Sequence, residues 1–221
     1  MIPIFLGYDK REAAGFHVCV ESLIRHASAP FSVTALAGEQ RDGTNAFTYT
    51  RFLVPHFCSY TGWAIFADGS DMLFREDIAK LWALRSPRNN HAVMAVQRHY
   101  KTRNRRKYIG TAMESDNYNY SCKNWSSLLL FNCGHPANRV LAPDYVAKHS
   151  GAHLHSFGWL PSGLVGPLPH AWNVLIGEEG ETGLCSMAHF TLGIPLMPHY
   201  RDCLYADEWL ASHRRISQGV L

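Results

Sequence analysis

The chain has 221 residues, 47% of them hydrophobic and 18% charged, with a formal net charge of +3. That length suits one domain, or one domain with a small appendage, and the composition excludes a low-complexity or disordered chain. The small net charge removes any bulk electrostatic case for nucleic acid. Six cysteines, from Cys19 to Cys203, show no C-x-x-C pair and no metal-ligand spacing. Most of them sit in apolar runs, where a free thiol behaves as a small hydrophobe, and this predicts a reducing, cytoplasmic setting. Met1 to Leu6 lacks the basic region and cleavage site of a signal peptide, and no run approaches the roughly 20 apolar residues of a membrane span. The expected membrane contact is therefore peripheral at most.

In chain order, Pro3 to Gly7 reads as a buried first strand, and Lys10 opens a helix whose inner face is Phe16, Val20, Leu23 and Ile24, ended by Pro30. Tyr8, Asp9 and Arg11 then stand at a strand's carboxyl end. There an aromatic can stack on a base and a carboxylate can accept from a ribose, although Asp9 is also a suitable helix cap. Phe31 to Leu36 is a second strand, followed by a polar loop to Asn45 and a short helix over Phe47 to Phe57, which carries Arg51. Such an arginine pairs with a carboxylate, snorkels, or reaches a diphosphate.

Trp63 to Ala67 is a third strand, and it ends abruptly in Asp68-Gly69-Ser70-Asp71. Taken alone, D-G-S-D is ordinary turn chemistry. The apolar approach on both sides favours a site, because two carboxylates at the end of a doubly buried strand need partners or a ligand. In open α/β sheets ligands bind beyond the carboxyl ends of the strands, and two hard oxygen ligands suit Mg²⁺ or Mn²⁺ with a phosphorylated molecule. Gly69 lets the backbone turn and approach that ligand closely. Asp77 reads as the N-cap of a helix over Ile78 to Trp82.

His91 to Val96 is the next strand. Lys101 to Lys107 carries five positive charges in seven residues and predicts a mobile loop over the site. Ser126 to Phe131 is a strong strand ending in Asn132-Cys133-Gly134, and Pro136 to Lys148 has a helical pattern. From Gly151 onward prolines punctuate packed loops, Ala188 to Thr191 is a short apolar approach, and Asp207 to Arg214 is a last helix. Strands alternate with helices to about residue 150, which predicts a mostly parallel sheet with the ends at Gly7, Asp68 and Asn132 on one edge.

Five segments carry a resemblance: IFLGYDKRE, YTRFLVP, IFADGSDMLFRED, WSSLLLFNCGH and HFTLGIP. In this order they resemble the small GT-A fold glycosyltransferases, similar to the glycogenin and bacterial lipooligosaccharide galactosyltransferase group. The resemblance implies an α/β, Rossmann-like GT-A fold, a mostly parallel sheet flanked by helices with a loop-rich C-terminal third. It implies one domain, in which residues 1–135 bind the nucleotide sugar and 136–221 form the acceptor side and supply a late metal ligand. The implied reaction moves a sugar from a UDP-linked donor to a hydroxyl of a glycan or glycoconjugate, with Mn²⁺ or Mg²⁺.

By the same resemblance Asp68, Asp71 and His189 would hold the metal. Gly7, Tyr8, Asp9, Arg11, Arg51, Asp68, Gly69, Asn132 and Gly193 would bind the donor, and Asp71 and Asn132 would act in catalysis. The acidic motif is D-x-x-D, one residue longer than the usual form, which leaves Ser70 as an alternative to Asp71 at its second position. The lysine that follows H-x-x-x-G in the family is replaced by apolar residues, and acidic positions near Trp159-Leu160 are Pro161 and Ser162. An inverting reaction requires a general base, for which Glu114, Asp116, Glu178 and Asp202 are available. Two other readings remain: a non-catalytic nucleotide-sugar or glycan-binding module, and a nucleic-acid binder using the basic run.

Overall fold

Ile2–Gly7 (β1) is an apolar hexapeptide with almost every side chain buried, as a strand covered on both faces requires. In the computed structural model, which describes residues 1–39, 41, 45–86, 88, 90–179 and 183–219, β1 leads into helix α1, Ala13–His26. In order there follow β2 (Phe31–Leu36), α2 (Val54–Phe57), β3 (Trp63–Ala67), β4 (Met72–Phe74), α3 (Ile78–Trp82) and β5 (Val93–Ala95). Next come the two-residue strands β6 (Arg106–Lys107) and β7 (Ser115–Asp116), then β8 (Leu128–Asn132), α4 (Pro143–Lys148) and α5 (Gly151–His155). The chain closes with β9 (Val165–Pro167), β10 (Val174–Leu175), β11 (Met187–His189) and α6 (Ala206–Ser217).

The main sheet has the order β2-β1-β3-β8-β5-β9. β1 runs parallel to β2 and β3, and β5 runs parallel to β9, while β8 is antiparallel to both its neighbours. Five strands thus point one way and one points back. Alternation along β3 divides the core. Ile65 and Ala67 face Phe16, Leu23, Ile78 and Leu81 on one side. Ala64 and Phe66 face Phe47, Phe52, Val146 and Trp159 on the other. A small sheet, β10-β11-β4, stands beside it, with β11 antiparallel to β4. Helix α6 closes over α1 and this sheet through Val18, Leu73, Ala188 and the fully buried Trp209, with Arg215–Glu21 (2.6 Å) and Arg75–Glu208 (2.8 Å) at its flanks.

Several elements differ from the pattern in the sequence. The helix expected over Phe47 to Phe57 is a 3₁₀ turn, Thr50–Leu53, followed by α2, in which Pro55 occupies the first turn, where no N–H is needed. The helix expected over Pro136 to Lys148 breaks in two, because Pro143 cannot continue a helix but can open one. Helix α5 has no apolar period to announce it; Ser150 caps it by accepting from the His153 N–H. The basic run is not wholly a loop: Arg106–Lys107 pairs with Ser115–Asp116, and Arg106 is bonded to Glu114 and Asp116. The expectation for the strand ends is corrected most sharply. Since β8 runs backward, Asn132 lies opposite Trp63 and Leu128 opposite Ala67, so Asn132 ends on the far edge from Asp68.

Candidate active site

The site begins where β3 stops. The Asp68 N–H donates to Ser127 O, and the chain turns so that the Asp71 N–H meets Asp68 O. This turn is inside the protein: Asp68 is 8% exposed, Asp71 3% and Ser70 0%. A solvated surface turn would leave its acids in water, so burial decides against that reading. Two glycines make the burial possible. A Cβ on Gly15 of α1 would fall 1.8 Å from Ser70 O, and one on Gly69 would fall 2.8 Å from Gly7 O. Helix α1 and the end of β1 therefore press directly on the acidic turn.

His189 reaches the turn from β11, where it lies opposite Met72. Its Nε2 is 3.2 Å from Asp71 Oδ2. Its Nδ1 is 2.9 Å from Asn173 Oδ1. The Asn173 amide donates at 3.0 Å to both Asn124 O and Ser127 Oγ, so its oxygen is free to accept. Nδ1 therefore carries a proton, and Nε2 faces the carboxylates. One ligand atom from each of Asp68, Asp71 and His189 lies within 4.8 Å of the others. Asp68 Oδ1 and Asp71 Oδ1 are buried without a hydrogen bond. Two carboxylates, one of them with an oxygen that meets no partner, and an imidazole nitrogen make a donor set that fits a divalent cation.

Arg51 balances part of that negative charge. It is 4% exposed, and its Nη1 lies 2.7 Å from Asp68 Oδ1. Its directed N–H bonds go to Thr48 O and Ser126 O, so the contact with Asp68 is one of charge. The guanidinium lies against the rings of Phe47 and Phe66. Burial nevertheless pushes the Asp68 carboxyl up to about 7, with Arg51 opposing and Asp71 reinforcing the rise. A buried acid that holds its proton this tightly gains from a nearby cation.

A cavity of about 420 Å³ opens over the cluster, with Arg51, Asp68, Asp71 and His189 in its floor. Lys107 and Lys123 enter its wall. Burial lowers the pKa of the Lys107 ammonium, while Asp71, Glu12 and Asp68 pull it back up. Burial, with Lys107 nearby, brings Lys123 down to about 8. Opposite them His155 shares a 2.6 Å hydrogen bond with Ser126 Oγ, and burial beside Arg51 holds its imidazole down at about 3. Of the four base candidates, Asp116 lines the cavity, accepting from Arg106 and from the Tyr118 hydroxyl. Glu178 is bound up with Thr102, Arg103 N–H and Asn117, and Glu114 with Arg106 and Gly110 N–H.

Other predicted site residues lie around this cavity rather than in its walls. The Asp9 carboxylate accepts from Arg11 N–H, Nε and Nη2 and from Ala46 N–H, and so anchors the segment that brings Asn45 and Thr48 to the cavity. The Tyr8 ring packs edge-on against Phe16. A Cβ on Gly7 would strike the Phe47 ring, and one on Gly193 the Tyr200 ring, so both glycines make room for aromatic packing. The role expected of Asn132 in donor binding and catalysis is corrected. Its register opposite Trp63 places it four strand steps, ~13 Å, behind the end of β3, where its amide donates to His91 O. Ser126 and Ser127, just before β8, take the place at the cavity. Asn173 and His155 were not anticipated, and Lys107 only as part of the basic run expected over the site. Asn173 is a single amide among prolines, Lys107 one cation in a run of five, and His155 follows no periodic pattern.

No model of a known protein family matches the chain. The chain is similar to Protein CDI of Arabidopsis thaliana, with 36% identity over 225 residues that cover 94% of this chain and 84% of that one. Among solved structures it is similar to the apo form of the bifunctional glycosyltransferase WbbM, at 15% identity and a TM-score of 0.61, covering 96% of this chain and 49% of that one. It is also similar to the galactosyltransferase LgtC in complex with donor and acceptor sugar analogues, at 15% identity and a TM-score of 0.59, covering 96% and 95%. The chain spans about half the length of WbbM and nearly all of LgtC. Among the described residues no helix is long and apolar enough to cross a membrane.

Proposed function

This chain belongs to the family of Protein CDI and has the GT-A glycosyltransferase fold, and we propose that it is a metal-dependent glycosyltransferase. It transfers a sugar from a nucleotide-sugar donor, UDP-linked, to a hydroxyl of a glycan or glycoconjugate. The observation that carries this reading is the buried Asp68–Asp71–His189 cluster at the carboxyl end of β3, with Asp71 Oδ1 left without a partner and the His189 Nε2 facing the carboxylates. LgtC was solved with donor and acceptor sugar analogues, which supports the same two kinds of partner here.

In this reading Asp68, Asp71 and His189 hold Mn²⁺ or Mg²⁺, which when bound supplies a Lewis acid to the departing diphosphate. Arg51 keeps Asp68 in place and Asn173 holds the His189 proton on Nδ1. Lys107, an ammonium with no ion pair among the described residues, faces the same cavity and offsets phosphate charge. Asn45 and Thr48 form the nucleoside side, held there by the Asp9–Arg11 pair through Ala46 N–H, while Tyr8, Gly7, Gly69 and Gly193 act behind the cavity through packing. For an inverting transfer we assign the role of base to Asp116, the one of the four candidates among the cavity-lining residues. We assign this work to one domain spanning the chain. The six free thiols fit a reducing compartment, and we place the enzyme in the cytoplasm.

The test is release of free nucleotide from a panel of nucleotide sugars, with and without Mn²⁺. Metal-stimulated cleavage of one donor is expected. Binding of a donor with no turnover under any acceptor would leave a non-catalytic module instead. The basic run gives little support to nucleic acid, because Arg106 is paired with acids and Lys107 turns inward.

A further inference from the structure

A second concavity, of about 370 Å³, opens beside the first, and Tyr120 and Lys123 line both. Its wall continues through Arg98, His99, Tyr100 and Lys101, and among the described residues no carboxylate takes part in its lining. The positive charges there are unequal. Arg98 is matched from behind by Glu179, 2.9 Å away. Lys123 is 7% exposed, and its ammonium donates to two neutral oxygens, Asn117 Oδ1 and Tyr118 O, while lying over the Tyr120 ring. Lys101 is exposed. Neither lysine has an ion pair among the described residues.

Among the described residues this wall is lined by no acid; Glu179 balances Arg98 and Glu178 acts on Lys123 from outside the lining, which leaves the exposed Lys101 as its unbalanced charge, so its potential favours an anion. The Tyr120 ring, 51% exposed, gives the flat apolar surface on which a sugar ring can rest. The border shared with the cavity over Asp68, Asp71 and His189 is what a bound acceptor must cross to bring a hydroxyl to the donor.

We propose that this second concavity receives the acceptor and selects one bearing an anionic group, a carboxylate or a phosphate ester, on its sugar. The inference rests on the glycosyl-transfer reading. It sets the acceptor against residues 98–123, not against residues 136–221, which the family resemblance implied.

The test is a calorimetric titration of the full chain, with UDP and Mn²⁺ present, using glucuronate, glucose 6-phosphate and glucose as probes. At least one anionic probe is expected to bind about fivefold or more tightly than glucose, and Lys101→Glu to remove most of that preference. Whichever anion binds more tightly identifies carboxylate or phosphate as the group selected. Equal binding of all three probes, or a preference untouched by Lys101→Glu, overturns the proposal. Donor cleavage without acceptor, measured in parallel, separates the two readings. If cleavage occurs without anion preference, the anionic acceptor falls and transfer stands. If anions bind through Lys101 without cleavage of any donor, transfer falls and the anion site alone remains.

Discussion

The two edges of the main sheet carry the same signature in sequence and have opposite roles. At one edge β3 ends in Asp68-Gly69, and at the other β8 ends in Asn132-Cys133-Gly134. The first is a buried acidic turn beneath a cavity, with Asp71 Oδ1 left without a partner. The second is satisfied. The buried Asn138 amide donates to Ala92 O and Asn132 O and accepts from the Trp159 indole, and Gly134 N–H bonds Gly62 O. A polar residue closing a strand therefore marks a site only where its hydrogen-bonding capacity is left open.

The largest expected effect breaks the comparison directly. Asp71→Asn keeps the shape of the turn but removes a charge, and metal-stimulated donor cleavage is expected to fall about 10²–10³-fold. Asn132→Ala, at the opposite edge, is expected to leave cleavage unchanged. A comparable loss in both variants, measured as nucleotide release, would erase the distinction between the edges. Next is the hydrogen bond behind the metal cluster. Asn173→Leu removes the acceptor that holds the His189 proton on Nδ1, and Mn²⁺ affinity is expected to drop about 10–100-fold, read by titration of the metal. His189→Ala sets the limit of that loss, and unchanged affinity in either protein would return His189 to the core.

Two smaller effects sharpen the contrast in stability. His155 lies on the cavity side and is held at about 3, below its usual 6.5, mainly by burial. The unfolded chain thus binds a proton that the folded chain refuses. The resulting stability is complete above pH 6.5 and is lost as the pH falls toward 3. His155 is partly exposed in the cavity wall, so we expect about 2 kcal/mol, less than full burial would give. His155→Gln should flatten the dependence of the melting temperature on pH across that window. At the other edge, Asn138→Ala leaves Ala92 O without one of its donors and the Trp159 indole without its acceptor. A cost of ~1–2 kcal/mol in denaturant unfolding is expected, with Mn²⁺ affinity unaltered.

Much of the local structure was legible. The apolar runs at Ile2–Gly7, Trp63–Ala67 and Leu128–Asn132 are strands because their side chains must be buried on both faces. Asp77 caps α3 by accepting from Ala79 N–H, a local bond that needs only neighbouring residues. The acidic pair at the end of β3 was legible for the same reason, and the resemblance added His189 to it. The direction of β8 was not legible. An apolar alternation reads the same forward and backward, and the pairing partners and the path of the connection, not the strand's own residues, set which way it runs. That one reversal moved Asn132 to the wrong edge and brought Ser126 and Ser127 to the right one. Tertiary structure alone also decided that Asn173 orients the imidazole of His189, and that of the five cations in the basic run it is Lys107 that enters the cavity. Each depends on which surfaces are buried together, and residue type and spacing carry no record of that.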